Sequence, residues 1–481
     1  MTFVSLRRIS QGCLLSGLLA SSSFAATPLL PLRAGTELFV DDVNLASKTN
    51  VTRTIHPARK LDRPVLIGEN GEPVRIYGTV HRDAATGEFR MWYGRRYAVS
   101  RDGLNWETPL VGDLDARGRP TNIVLPKGGG GVLVDEAEPD PAKRYKALLA
   151  EPIKVGGFSG YYSADGIKWH RYGTDRLLSV GSEVGYVIRD PATRKYFAYI
   201  RPYPPKHFPT KLEEKRLGAV LVSDDFVHWS RMKIVLTPDK IDDAWVRKSE
   251  QRTEFYAMHG FPYGRSYLGI VPLFRIERIV DKVGRDQSRY DGPMEGQLIT
   301  SRDGLQWSRM ENRSPVIPSG PDYDRSIMHV ATAPLIVGDE IWHYYTAIDA
   351  THGAQKKRIT VALARWRLDG FVSLDAGAEE GVVETALMNP RVAYALEVNA
   401  DAARGGLLVE VVDKEGQPLP GYTAADAVKL ADDNVRHHAR WTDRPLLPAQ
   451  PFRLRFRFTN ASLFSYTLKA YPPGTGTAAS R

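Results

Sequence analysis

Ser100-Arg101-Asp102-Gly103-Leu104-Asn105-Trp106 returns as Ser163-Ala164-Asp165-Gly166-Ile167-Lys168-Trp169 and again as Ser301-Arg302-Asp303-Gly304-Leu305-Gln306-Trp307. A variant without the glycine stands at Ser223-Asp224-Asp225-Phe226-Val227-His228-Trp229. The starting serines are 63, 60 and 78 residues apart, and a further 63 residues leads to a degenerate fifth copy, Ala364-Arg365-Trp366-Arg367-Leu368-Asp369-Gly370-Phe371. Recurrence at a fixed period marks a repeat architecture, so five similar units organise the middle of the chain.

Each unit carries the same strand grammar. An apolar stretch comes first, at 75–81, 131–135, 184–189, 255–261 and 327–337. A turn leads to a second, aromatic-rich stretch at 89–93, 144–149, 195–200, 266–271 and 340–347. A third strand ends in the Ser-x-Asp turn, and the Trp opens a fourth. Four short antiparallel strands per unit predict the blades of a five-bladed β-propeller over 35–375. Within the motif the Asp is expected to bond its own turn backbone. The four Trp side chains are expected to pack between blades as core.

Beyond residue 376 the grammar changes. The stretches 395–398, 406–412, 452–459 and 463–468 read as strands between Gly-, Pro- and Asp-rich turns, with no further Ser-x-Asp motif. They predict a β-sandwich over 376–472, followed by a disordered tail at 473–481. Composition agrees with an all-β class: the 481 residues include 42 Gly and 32 Pro, and aromatics make up 10%. The net charge of +9 is spread along the chain and forms no stripe, which argues against nucleic acid as a partner.

The first 26 residues read as a signal peptide. Arg7 and Arg8 precede the apolar run 13–20, and Ser23-Phe24-Ala25 offers small residues for cleavage. That run is far short of the roughly 20 residues a membrane span needs. A secreted or periplasmic product is therefore expected, with no membrane association after cleavage. Cys13 is the only cysteine and lies in this segment, so the mature chain has no thiol nucleophile and no disulfide.

A propeller gathers function where its innermost strands begin. By that rule Glu183 and Glu254 take equivalent places in adjacent units three and four. Two carboxyl groups facing one sugar are what glycoside hydrolysis requires. The competing reading pairs each Glu with a nearby arginine, Arg252 or Arg201, as a structural ion pair. Asp324, before the fifth inner strand, is a third catalytic candidate. Arg75, Arg201, Arg252 and Arg325 would reach the mouth, and guanidinium forks suit a carboxylate or vicinal hydroxyls, which points to a carbohydrate substrate, acidic or heavily hydroxylated. His259, His329 and His352 could donate to that substrate. No zinc or calcium spacing and no phosphate loop occurs, so no metal and no cofactor is assigned. Two long connections, 202–216 and 274–293, fall on the mouth side as candidate walls or lids.

With these Ser-x-Asp-Gly-x-x-Trp turns, the secretion signal and the C-terminal β-sandwich, the chain resembles the five-bladed propeller glycoside hydrolases of the arabinanase, xylosidase and invertase type over residues 37–371. The resemblance implies a pocket at the propeller centre, a base or nucleophile from the first blade and a Glu acid from a later one, which Glu183 or Glu254 would match. At the first blade the chain departs from the family. No Asp opens the strand near Arg75; the nearest acids are Glu72 and those of Phe39-Val40-Asp41-Asp42, a segment that also reads as a strand closing the ring. The expected activity is hydrolysis of a plant or algal polysaccharide or oligosaccharide. A non-catalytic glycan-binding propeller and a lyase acting on uronate polymers are the alternatives.

Overall fold

The computed structural model describes residues 35–471, apart from 129, 153–154, 181, 203–214, 282–287 and the side chains of 182–184. The expected signal segment and tail lie outside these residues. The protein is all-β: among the described residues the only helical turns are the short 3-10 pieces Glu69–Gly71 and Pro141–Lys143.

Five antiparallel sheets follow the repeat. Thr79–Arg82, Phe89–Tyr93 and Arg96–Ser100 form the first. Val132–Val134, Tyr145–Ala150, Phe158–Ser163 and His170–Arg171 form the second, and Ser182–Arg189, Tyr196–Pro202, Gly218–Ser223 and Lys233–Leu236 the third. In the fourth, Arg252–Phe255 and His259–Tyr263 both pair with Ser266–Ile276, which continues to Met294–Ser301 and Trp307–Arg309. The fifth contains Ser326–Val330, Glu340–Ile348 and Ile359–Arg367. Inner strands of successive sheets touch in cyclic order, the fifth returning to the first, so the sheets close a ring.

The fifth sheet takes its outermost strand, Arg59–Lys60, from the other end of the chain, with Ala364 opposite Lys60. That exchange ties the first and last sheets together. It also corrects the reading of residues 39–42 as the closing strand, since the chain around them pairs elsewhere.

The repeated motif is a self-satisfied turn. In the first copy the amides of Leu104 and Asn105 both donate to Asp102 Oδ1 at 2.8 Å, and the Gly103 amide donates to Ser100 Oγ at 2.9 Å. Asp165, Asp225 and Asp303 repeat the bonds to the two following amides. Trp106 Nε1 donates to the Gly103 carbonyl, and Tyr344 of the neighbouring fifth sheet donates to the same oxygen at 2.8 Å. Trp92 does the same to Gly166 and Tyr199 to Gly304, so the three glycine-bearing turns are pinned by the sheet before them. Glycine is needed at 103 because φ is +72° and a Cβ would lie 2.6 Å from Tyr344 Oη.

Two further sheets share one core. One is ordered Thr52–Ile55, Val372–Ala376, Ala461–Ala470, Tyr394–Asp401, Asp433–Ala439, with Gly35–Leu38 also on Ala461–Ala470. The other is ordered Leu45–Thr49, Gly381–Thr385, Arg453–Thr459, Gly406–Val412. Leu396 and Val398 of the first meet Val409 and Phe456 of the second around Trp441. The expected boundaries, 35–375 and 376–472, therefore shift, because strands between 35 and 55 and Val372–Ala376 pair here. Alternation along one extended segment joins the two units: Leu38 and Val40 enter the core of the fourth and fifth sheets, whereas Phe39 enters the other.

Candidate active site

The axis of the ring is filled by side chains. Thr79 and Thr332 share a hydroxyl hydrogen bond of 2.8 Å, the Val132 amide donates to Thr79 Oγ1, and Gly131 donates to the Gly185 carbonyl. A Cβ on Gly131 would sit 2.5 Å from Thr332 Oγ1, so the second sheet approaches the axis only as bare backbone. Above these lies an aromatic layer: the rings of Tyr186 and His259 are 3.9 Å apart, those of Tyr77 and His329 4.1 Å. Tyr186 Oη lies 3.0 Å from His329 Nδ1. Burial pushes both His259 and His329 well below the usual histidine range, so both are neutral at ordinary pH.

The mouth stands next to this layer, built around Tyr256. His352 Nδ1 faces the Tyr290 carbonyl at 3.2 Å, and its Nε2 lies 3.0 Å from Tyr256 Oη. A carbonyl only accepts, so Nδ1 carries the proton and Nε2 accepts from the Tyr256 hydroxyl. Burial pushes His352 down to about 3. The guanidiniums of Arg201 and Arg216 lie over the Tyr256 ring at 5.0 and 5.3 Å, and Arg252 lies over Tyr290 at 4.8 Å. Arg201 also donates to the Tyr256 carbonyl.

Glu254 is 1% exposed, and both of its oxygens are occupied: Arg252 Nε donates to Oε1 at 2.6 Å and Arg216 Nη1 to Oε2 at 2.7 Å. Glu254 is thus paired with Arg252, an arginine the competing reading named, and with Arg216, which it did not name. With guanidinium donors on each oxygen, the arrangement suits a charged partner and leaves no oxygen turned to donate a proton. Glu183 belongs to the strand Ser182–Arg189, whose Ser182 pairs with Pro202 at the mouth; its side chain falls outside the described residues.

Two expected site residues point elsewhere. Asp324 is buried and accepts from Lys60 Nζ at 2.6 Å and from Tyr345 Oη at 2.8 Å. The carboxylate anchors the ring-closing strand and stands apart from the cluster around Tyr256. Arg325 is exposed, with Nε on the Pro321 carbonyl, and takes no part in the cluster. Arg201, Arg252, Glu254, His329 and His352 are brought together, and Arg75 joins them closely enough to disfavour charge on His329. Sequence reasoning passed over Tyr77, Tyr186, Tyr256, Tyr290 and Arg216. Arg216 ends a connection that had been singled out, and Tyr256 lies two residues beyond Glu254, so proximity to flagged positions was their only signal. The centres of the connections 202–216 and 274–293, at 203–214 and 282–287, lie outside the described residues.

A cleft of 1060 Å³ leads outward from Arg75 and Tyr77 over the first sheet. No group of three or more His, Cys, Asp or Glu side chains among the described residues is placed to hold a metal ion, and no helix there is long and apolar enough to cross a membrane.

No family model and no curated protein matches the chain. Among solved structures it is similar to an N-acetylgalactosamine deacetylase from F. plautii, with TM-score 0.42 and 13% identity over 67% of this chain and 97% of that one. An exo-inulinase from Aspergillus awamori gives TM-score 0.39 and 10% identity over 85% of this chain and 99% of that one. A β-fructofuranosidase from Bombyx mori gives 0.38 and 10% over 84% and 95%. Likeness at this level bears on neither activity nor substrate.

Proposed function

We propose that this chain is an exported glycoside hydrolase that takes an acidic or heavily hydroxylated sugar of a plant or algal polysaccharide at the mouth of the ring. The observation that carries the reading is the convergence of Arg75, Arg201, Arg216 and Arg252 with Tyr77, Tyr256 and Tyr290 at one end of the axis. Guanidinium forks bind carboxylate or paired hydroxyls, and tyrosine offers both a flat face and a hydroxyl. The hydrolytic part is supported by the repeat motif's resemblance to propeller hydrolases. In this scheme Glu254, held by its two arginines, is the charged partner, and Glu183 is the acid that protonates the leaving oxygen.

The test is incubation of the purified mature chain with aryl glycosides and plant and algal polysaccharides, with product analysis. Sugar release is expected, and Glu183→Gln is expected to abolish it while the protein still unfolds at the wild-type temperature. Undiminished release by Glu183→Gln would remove that residue from the scheme. Saturable glycan binding with no product would leave a binding propeller instead.

A second reading is favoured by the Tyr256–His352 pair. Elimination on a uronate needs a base near C5 and a cation on the carboxylate, and a tyrosine hydroxyl bonded to an imidazole lone pair beside arginines offers both. An unsaturated product with new ultraviolet absorbance, lost in Tyr256→Phe, would select it over hydrolysis.

A further inference from the structure

The first sheet departs from the repeat plan, and the departure builds a wall. It has three strands where the next two have four. After its Ser-x-Asp turn the chain makes only single bridges, Val99 to Glu107 and Arg96 to Ile123. Between them residues 112–123 fold back on themselves. Gly112 donates to the Thr121 carbonyl, Asp113 to that of Ile123 and Asp115 to that of Arg119, and Leu114 bridges Pro120. Arg119 and Asp115 close the tip as an ion pair of 2.7 Å.

The opposite wall comes from the segment entering the first sheet. Val65 and Leu66 donate to the Val361 carbonyl and Val74 to that of Ile359, so this segment is pinned to the fifth sheet. Arg96 ties the two walls together, reaching Glu72 at 3.2 Å and Asn122 Oδ1 at 2.7 Å. Between the walls lies the cleft of 1060 Å³, and its inner end is Arg75 and Tyr77 of the mouth. Pockets for drug-sized ligands run from about 300 to 1,000 Å³, so this one has room for more than a single sugar ring. Its lining mixes aliphatic faces, Ile67 and Leu110, both more than half exposed, with the polar Thr108 and Thr121. Exposed aliphatic side chains beside hydroxyls suit the C–H faces and hydroxyls of successive pyranose or furanose rings. The charges on the outer walls are mostly paired with one another, as the Arg96–Glu72 and Arg119–Asp115 contacts show, so binding there depends on shape and hydroxyls more than on net charge.

We infer that this groove over the first sheet is an extended subsite for the oligosaccharide strand that continues from the sugar in the mouth, so that the protein selects chains of three or more sugars over single ones. The inference rests on the mouth being a glycan site. It contrasts with the mouth itself, where cations concentrate.

The experiment measures affinity by calorimetry, independently of turnover, for two series of one to five units, oligogalacturonides and arabino-oligosaccharides. In the series that binds, affinity is expected to rise at least tenfold from the single sugar to the trimer. Thr108→Trp, which fills the groove, is expected to cancel that gain without changing single-sugar affinity. Leu110→Ala, a milder change at an exposed position, should lower trimer affinity by about threefold. Affinity that does not change with length, or a trimer bound equally well by Thr108→Trp with its fold confirmed by circular dichroism, would overturn the groove and leave the mouth reading standing. Absence of binding in both series and across the polysaccharide panel would instead overturn the mouth reading and the groove with it.

Discussion

The two rims of the ring are built by opposite means. On one, four copies of the same turn satisfy themselves: an Asp accepts from the two amides that follow it, and a Trp returns to the carbonyl of the residue after the Asp. Toward the other, along the axis, each sheet contributes something different: Thr79 from the first, bare glycine from the second, Tyr186 from the third, Glu254, Tyr256 and His259 from the fourth, and His329 from the fifth. What recurs is scaffold, because one local hydrogen-bond problem has one local solution. What fails to recur converges on a common axis and is held by partners from other sheets. The turns therefore depend on nearest neighbours, and the mouth on the whole ring.

Acid should separate the two rims most strongly. His259, His329 and His352 toward the mouth, and His343, bonded to the Ala331 carbonyl within the fifth sheet, are all held below the ordinary histidine value by burial, His343 at about 4 and His352 at about 3. The unfolded chain then binds more protons than the folded one below about pH 6.5, so stability is complete above that pH and is lost as pH falls toward the folded values. Each such histidine contributes a slope of up to about 1.4 kcal/mol per pH unit in that window. The turn carboxylates titrate later. The Asn105 amide, helped by that of Leu104, holds Asp102 well below the usual carboxylate range, so its contribution is present above about pH 4 and lost only as pH falls further. Denaturant midpoints measured from pH 8 to 3 should fall first between 6.5 and 4. A midpoint that stays level down to pH 4 would show that the histidines do not stay neutral in the fold.

Glu254→Gln comes next. It removes the shared partner of Arg216 and Arg252, and breaking a buried ion network on one side costs about 3 kcal/mol or more. Urea unfolding should show this together with loss of glycan binding. Lost activity at full stability would assign Glu254 a purely chemical role. Gly103→Ala tests the other rim. A left-handed residue beside Tyr344 Oη should cost about 2 kcal/mol, with binding at the mouth unchanged. Smaller still is Asp303→Ala, about 1 kcal/mol for partly exposed amide bonds, again without effect on turnover. Equal effects of the last two variants on stability and on activity would mean that the rims are coupled.

Much of the scaffold was open to reading because its causes are local. The Asp bonds amides two and three residues away, the Gly takes a positive φ, and strand alternation follows the pleat, so these features repeat in the order of the residues. Asp324 stands apart from the cluster because its carboxylate meets Lys60, whose sequence distance is spanned only when the N-terminal strand closes the fifth sheet. The same closure sends the strands between residues 35 and 55 into a core shared with the C-terminal sheets, and no local pattern near residue 376 announces it.

From residue order alone came the all-β class, the period of the repeat, the structural role of its turns and most of the polar residues that reach the mouth. Folding settled which of those residues face one another: Glu254 between two arginines, Tyr256 bonded to a histidine 96 positions away, and a groove walled by a sheet that lacks its fourth strand. The reason is physical. Turn and strand preferences act over a few bonds and can be read in any order, whereas burial, charge pairing and cavity shape depend on distances that exist only once the ring has closed.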